Sequence, residues 1–361
     1  MMIVTIPINI MPTMRNFVNV GQALFAIEVH NGKTIVYDCG GESSLIVASV
    51  LPYILKKNST IDILFISHYD YDHINGVQYL LRHCNVRHIV LPMVDEPFKF
   101  LPLINTPFMS FAYKFILNAS RAVSELINEL RDSERNGEII TPRVHYVEQT
   151  EGSYGDANIT DALPIADLGG DTTIQGNRAI QLDKNDDWIY LPYNRAYMLP
   201  NAWEIFLDFL GLPNNSTCDD FVYNWRPWWL LGRRNQVKKA WHIATGISPR
   251  EINDFSMTLY SGPAHNSGNE GCLFTGDYNA KKYINELYHF YIKLWNNIRV
   301  VQVPHHGSDN NFDKGLIISN ATHVIPNKEH PYRQSDVKYQ TVWGQIESKG
   351  EKVVGTWKPP Y

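Results

Sequence analysis

The chain has 361 residues, 44% of them hydrophobic and 19% charged, which is the composition of a globular protein with a full core and excludes a disordered or fibrous chain. Its formal net charge of −5 excludes polyanion binding through bulk charge, so any nucleic-acid contact has to come from a local patch. Cys39, Cys84, Cys218 and Cys272 form no C-x-x-C pair, residues 1–20 lack a signal-peptide pattern, and no run approaches the roughly 18 apolar residues of a membrane helix, so the expectation is a soluble cytoplasmic protein with free thiols.

Residues 2–10 read as a strand and 23–30 as another, and Asn31-Gly32 turns the chain into a third over 34–38. Residues 43–57 have helical spacing, with Pro52 expected to kink or interrupt the helix. An apolar strand (Ile61, Ile63, Leu64, Phe65, Ile66) runs into His68-Tyr69-Asp70-Tyr71-Asp72-His73, and a helix over 76–82 and a short strand over 88–91 follow. Up to Pro92 the expected order is therefore β-β-β-α-β-α-β. In the centre, 111–135 is the longest helical candidate, 143–148 and 188–192 are strands, and 202–210 is a short helix. Residues 153–184 read as short strands and loops, and 213–220 as a surface loop. The last third gives strands over 256–260, 272–275, 299–303, 322–325 and 352–356, with helices over 279–295 and 337–348.

Residues 221–250 stand apart. They hold Arg226, Arg233, Arg234, Lys238, Lys239 and Arg250 and no acidic residue, interleaved with Phe221, Tyr223, Trp225, Trp228, Trp229 and Trp241. Such a segment can stack bases on its aromatic faces while its cations follow phosphates. The stronger reading is structural: the tryptophans bury the segment and its basic residues are solvated. A cap over a site, or a surface for a partner protein, is the other role open to it.

Chemistry concentrates at strand ends. Two imidazoles and two carboxylates within six residues, at the end of a buried strand, suit one or two divalent cations better than they suit a core. Four further strands end in polar residues: Asp38, Thr275-Gly276-Asp277, Pro304-His305-His306-Gly307-Ser308, and Glu329-His330-Pro331. Convergence of these ends on one edge of a sheet is where a ligand site commonly assembles. His83, His88, His145 and His265 are more simply read as structural histidines.

In this order the motifs resemble the metallo-β-lactamase fold superfamily, in particular the hydrolase domain of ComEC-type DNA-uptake proteins and soluble relatives that include phosphorylcholine esterases. Val20-Gly21-Gln22, Asp38-Cys39-Gly40, Ser67 to His73, Asn253 to Ser256, Leu273 to Asp277, the P-H-H-G-S run and His330-Pro331 carry the likeness. It is specific as an ordered set and covers about 17–92 and 250–361. The resemblance implies a four-layer αββα sandwich in a single domain over 1–361. Its core would lie at about 1–92 and 250–361, with a large insertion, 93–249, in the middle of the chain. Within that insertion 193–249 would be a cap or partner-binding element.

The resemblance further implies a dinuclear site, with Zn²⁺ the first expectation and Mn²⁺ the second. One metal would be held by His68, Asp70 and a further group, the other by Asp72, His73 and His330, with Asp277 bridging. A hydroxide shared by the metals would be the nucleophile, so Asp72, His305 and His306 are the expected catalytic residues. Asp38, Asn253, Ser256 and Ser308 would support them from behind. Two departures matter: Asp70 stands where the most familiar pattern has His, and the strand that usually supplies a third-motif His offers Asn253 and Ser256. The first metal would then be short of a donor or would borrow His305 or His306.

The expected function is metal-dependent hydrolysis of a phosphodiester, as a phosphodiesterase or nuclease whose substrate is DNA, RNA or a smaller nucleotide. The first rival is a small-molecule phosphoester, ester or lactone hydrolase. The second is a metal-binding sensor or scaffold in a multiprotein system, such as bacterial defence, with a protein partner at 193–250.

Overall fold

A computed structural model of the chain describes residues 3–7, 13–132, 139–151, 157–196, 201–217, 220, 227–247, 256–265, 271–326 and 337–356. Its strands, in chain order, are β1 (Ile3–Pro7), β2 (Met14–Val18), β3 (Phe25–His30), β4 (Lys33–Cys39), β5 (Thr60–Phe65), β6 (Asn85–Pro92), β7 (Arg143–Val147), β8 (Asn158–Pro164), β9 (Thr172–Ile174), β10 (Arg178–Gln181), β11 (Trp188–Tyr193), β12 (Thr258–Pro263), β13 (Gly271–Phe274), β14 (Ile298–Gln302), β15 (Thr322–Ile325) and β16 (Lys352–Gly355). They form two 8-stranded sheets, ordered β1-β2-β3-β4-β5-β6-β7-β9 and β16-β15-β14-β13-β12-β11-β10-β8. From β4 to β9 the first sheet is parallel, and from β13 to β16 the second is too.

Apolar residues divide among three layers of core. Phe17, Tyr37, Ile63, Phe65, Tyr190, Phe274 and Val300 meet between the sheets. On the outer face of the first sheet, Ile61, Leu64 and Ile89 pack against the helices Ser44–Ile54, Val77–His83, Phe111–Leu117 and Ala119–Asp132. On the outer face of the second, Leu273, Val301 and Ile325 pack against Ala280–Tyr291 and Val337–Glu347. Helices, sheet, sheet, helices is the four-layer αββα sandwich. Strands buried on both faces read as continuous apolar runs, which is why β5 and β14 were conspicuous in the sequence. No helix among the described residues is long and apolar enough to cross a membrane.

Several elements differ from the sequence reading, each for a local reason. β2 was not expected. Its Arg15 is a buried charge whose Nε donates to Glu28 at 2.6 Å, and such a residue hides the alternation that marks a strand. The helix from residue 44 ends at Ile54, just past Pro52. Of the span 111–135, the described residues up to Asp132 form two helices, because Asn118 leaves helical geometry and its Oδ1 caps the second by accepting from the Arg121 N–H at 2.9 Å. In the middle region, β7 to β11 are strands of the two sheets. Outside the layers that region leaves a helical block, Glu96–Asn105, Ala202–Leu210 and Pro227–Thr245, around Phe98, Phe100, Phe206, Leu207, Val237 and Trp241.

Candidate metal centre

The strand ends do converge. β4 delivers Asp38, β5 delivers Ser67 and His68, β13 delivers Asp277 and β14 delivers His305 and His306; Asp70, Asp72 and His73 follow in the short helix Tyr71–Ile74 and its N-terminal flank. Two glycines make the approach feasible. A Cβ at Gly40 would lie 1.6 Å from the Asp72 carbonyl oxygen, so only glycine lets the end of β4 pass the start of that helix. Gly276 has φ +54°, and a Cβ there would lie 2.7 Å from the Ser67 Cβ. Beside it, Gln302 uses its whole amide on this turn. Its Oε1 accepts from the Thr275 and Gly276 N–H groups at 2.8 and 2.7 Å, and its Nε2 donates to the Gly276 and Val303 carbonyls at 3.1 and 2.7 Å. That clamp fixes the direction of Asp277.

Asp277 divides the centre into two halves. Its Oδ2 lies 4.0 Å from His68 Nε2 and 3.7 Å from His305 Nε2, with Asp70 Oδ2 3.9 Å from the same His68 nitrogen. Its Oδ1 lies 3.3 Å from His73 Nε2 and 3.9 Å from His306 Nε2, with Asp72 Oδ2 3.5 Å from His306 Nε2 and 4.0 Å from His73 Nε2. Two sets of donor atoms are each close enough to share one cation: His68, His73 and Asp277, and Asp72, His73 and His306.

The backs of the imidazoles are occupied. His73 Nδ1 lies 2.7 Å from Asp38 Oδ2, and Asp38 also accepts from the Ser67 N–H and Oγ–H, both at 2.7 Å. His68 Nδ1 meets Ser67 Oγ at 2.9 Å and Ser256 Oγ at 3.0 Å, and Ser256 Oγ accepts from the Asp277 N–H at 2.9 Å. His306 Nδ1 donates to the Pro326 carbonyl at 3.1 Å. Each ring is thereby turned so that Nε2 faces the centre. The Nε2 atoms of His68, His73 and His306 are buried and have no hydrogen-bond partner. Burying an unpaired polar atom is costly, and three aimed at shared carboxylates fit divalent cations. The donor set, imidazole with hard carboxylate, suits Zn²⁺ or Mn²⁺.

Electrostatics tell the same story. Burial pushes His68 down to about 3, helped by the neighbouring His73. Burial, then the Asp72 carboxylate, pushes Asp70 up to about 7. Against the burial that would raise it, His73 and His306 hold Asp72 down at about 2. Against the same opposition, His305, His73 and His306 hold Asp277 well below the ordinary carboxylate range. His73 is raised despite burial by Asp277, Asp38 and Asp72. Carboxylates crowded to this degree favour added positive charge.

The backbone is strained at strand ends of both sheets. Asp38, His305 and His306 have φ of +54°, +48° and +54°, values non-glycine residues seldom adopt. Ser308, partly buried, follows the histidine turn and donates its N–H to the His305 carbonyl at 2.9 Å. Ser256 sits behind His68 rather than among the atoms facing Asp277. Asn253 and His330 lie outside the described residues, and His306 stands with Asp72 and His73 in the half where His330 was expected. His265 lies at the far end of β12, against Asp187. Sequence reasoning missed Ser67 and Gln302. The first, inside the S-H-x-D-x-D-H motif, was readable as a hydroxyl beside a candidate ligand; the second had no signal, since a glutamine ending an apolar strand is unremarkable.

A family model described as the metallo-beta-lactamase superfamily matches residues 20–163, the stretch that carries Asp38 and the run from His68 to His73. Together with the two sheets flanked by helices and the two His/Asp donor clusters, this defines a metallo-β-lactamase-superfamily fold with a centre consistent with a dinuclear metal site. Over 67 residues the chain is 36% identical to Recombination protein 2 of Haemophilus influenzae, a match covering 18% of this chain and 8% of that protein. The chain thus spans a small part of that relative's length. Among solved structures it is similar to a metallo-β-lactamase HARLDQ-motif mutant from Cronobacter sakazakii, at 9% identity and TM-score 0.31, covering 79% of this chain and 72% of the other. It is also similar to MEM-A1, a subclass B3 metallo-β-lactamase from a soil metagenome library, at 9% identity and TM-score 0.30, covering 81% and 76%.

Proposed function

We propose that the chain is a metal-dependent phosphodiesterase whose substrate class is nucleic acid. The observation that carries the proposal is the division of Asp277 between two halves, each with its own histidines and its own carboxylate, Asp70 or Asp72. Two cations held there would polarise phosphoryl oxygens and lower the pKa of water, which is what phosphodiester hydrolysis needs at neutral pH. The protein's own part is positioning: Asp38 and Ser67 orient His73 and His68, Gln302 aims Asp277, and Asp72 with His305 forms the more open rim where a substrate enters, their side chains 38% and 33% exposed. Carboxylate-rich donors harden the site toward phosphate oxygen.

Three things support nucleic acid over other phosphodiesters. The ordered motifs resemble ComEC-type hydrolases, the curated relative is a recombination protein, and the helix Pro227–Thr245 carries four cations and no acid. That helix contributes charge rather than a stacking tryptophan from its second half, because Trp241 is buried against Phe98 and Phe206 in the helical block. The same burial favours the second reading, a small-molecule phosphoester, ester or lactone hydrolase, since it takes one aromatic face away from any base-stacking surface.

The test is metal analysis joined to a hydrolysis screen on bis-p-nitrophenyl phosphate, labelled single- and double-stranded DNA, and RNA, with Zn²⁺ or Mn²⁺. Turnover of nucleic acid that weakens with salt is the expected result. Asp72→Ala should lower turnover by about 100-fold or more while the protein stays folded. Turnover of ester or lactone substrates alone would select the second reading, and undiminished turnover by Asp72→Ala would remove the site from the reaction.

A further inference from the structure

The half of the centre around His68 is short of a donor in the sequence reading, and Ser256 does not supply it, because its Oγ is engaged behind the His68 ring. His305 approaches that half from β14. Its orientation follows from Asn311, a residue no motif singled out. Asn311 is 6% exposed, and its backbone N–H donates to the Ser308 carbonyl at 3.0 Å, which holds it under the histidine turn. Its Nδ2 donates to the Asp277 carbonyl at 3.0 Å, and its Oδ1 lies 2.9 Å from His305 Nδ1. A carbonyl oxygen only accepts, so the amide cannot be turned round; its NH₂ must face Asp277 and its oxygen must face His305. A histidine that ligates a cation is neutral, so in that state the one proton of the His305 ring sits on Nδ1. Its Nε2 is then a lone pair directed at Asp277 Oδ2, 3.7 Å away. Two acceptors facing one another at that distance are stabilised by a cation between them.

Resting on the metal-centre reading above, we propose that His305 completes the donor set of the His68–Asp70–Asp277 Oδ2 half, and that Asn311 is the positioning residue that selects its tautomer. His306 does the equivalent for the other half, with the Pro326 carbonyl in the place of Asn311. Adjacent histidines on one left-handed turn would thus serve opposite sides of Asp277. This assigns His305 to a cation and not to protonation of a leaving group.

The experiment loads the full chain with Co²⁺, removes excess by gel filtration, and measures metal per chain, affinity and the visible absorption spectrum. The expected result is two Co²⁺ for the unaltered protein. His305→Ala should keep one ion tightly and lose the other by about 10-fold or more in affinity, with the loss confined to one component of the spectrum. Asn311→Leu, which removes the acceptor, should weaken the same ion, and Asn311→Asp, which keeps an acceptor toward Nδ1 but loses the donor to the Asp277 carbonyl, should weaken it less. His305→Ala that binds two ions as the unaltered protein does overturns the ligand assignment and leaves the metal centre standing. Equal behaviour of Asn311→Leu and Asn311→Asp overturns the positioning role. Unaltered protein that binds no Co²⁺ overturns the metal-centre reading, and the assignment with it. Because His305→Ala and the Leu/Asp pair at Asn311 answer separate questions, failure of one variant to fold leaves the other arm decisive.

Discussion

Buried histidines at the two ends of the sandwich do different things. At the strand ends that hold Asp277, the His68, His73 and His306 rings have Nδ1 engaged and Nε2 without a hydrogen-bond partner. Elsewhere three buried rings, His30, His145 and His323, use both nitrogens. His30 meets Thr13 at 2.8 Å and Asp186 at 2.9 Å, His145 meets His88 at 3.0 Å and Thr172 at 2.8 Å, and His323 meets the Lys352 and Leu316 carbonyls at 3.3 and 3.1 Å. Burial and residue type are the same in the two groups. What separates a candidate ligand from a structural histidine is the second nitrogen: one group closes its own network, while the other leaves atoms that only a further partner can satisfy.

A buried ion pair joins the two sheets, with Arg15 Nη1 left without a hydrogen-bond partner. Arg15, on β2, is 1% exposed; its Nε donates to Glu28, and its Nη2 donates to the Ser261 carbonyl at 3.3 Å. Glu28 Oε1 accepts from Ser261 Oγ at 2.5 Å and from the Tyr190 hydroxyl at 3.2 Å, joining the first sheet to the second. Truncating one partner strands the other charge, so Arg15→Ala should lower unfolding free energy by about 3–5 kcal/mol. Urea unfolding measures this. Metal content of the folded fraction should stay at the unaltered value, and its loss would show that the two ends are coupled and break the comparison.

At the metal-facing end the expected effect is smaller in energy and different in kind. Asp38→Asn keeps shape but removes the charge behind His73 Nδ1. Metal affinity should fall by about 10- to 100-fold, the usual consequence of losing an outer carboxylate behind a ligating histidine. Competition with a chelator measures it. Stability of the metal-free protein should change little or rise, because Asp38 is itself pushed upward by burial. An unchanged affinity would place His73 among the structural histidines.

The layered fold and the donors of the centre were legible because both are local signals. Apolar runs mark buried parallel strands, and short motifs end them, as at β5 with His68 and β14 with His305. What supports those donors was not legible. Gln302 acts on the backbone of Thr275 and Gly276 from a neighbouring strand, and Asn311 acts on His305 and Asp277 at once, so neither has a spacing that could announce it. β2 was hidden because a buried Arg15 counts as polar until Glu28 is known to face it. In 221–250 the structural reading holds for Trp241, which with Val237 and Ala240 forms a buried stripe at i, i+3, i+4 spacing beyond a kink at Arg233 in the helix Pro227–Thr245.

The pair His88–His145 gives the comparison its pH dependence. Burial, and then for His88 the facing His145 with Arg143 and Arg87, lowers both rings to about 4 from the ordinary 6.5; Asp171 opposes this at His145, where Arg143 adds to it. Both are coupled through one 3.0 Å contact, so they titrate as a unit. Since the folded values are depressed, the unfolded chain binds more protons between the two limits, and stability rises with pH there. The contribution is complete above about 6.5 and is lost as pH falls through about 4. Replacing one ring, His145→Gln, should make the fall in melting temperature over that window shallower than in the unaltered protein. Metal content at neutral pH should not move. If the pH slope is unchanged, acid sensitivity over that window resides at the metal-facing end instead, in His68, whose value burial also depresses, to about 3; the Asp72 and Asp277 contributions are lost only below the ordinary carboxylate value.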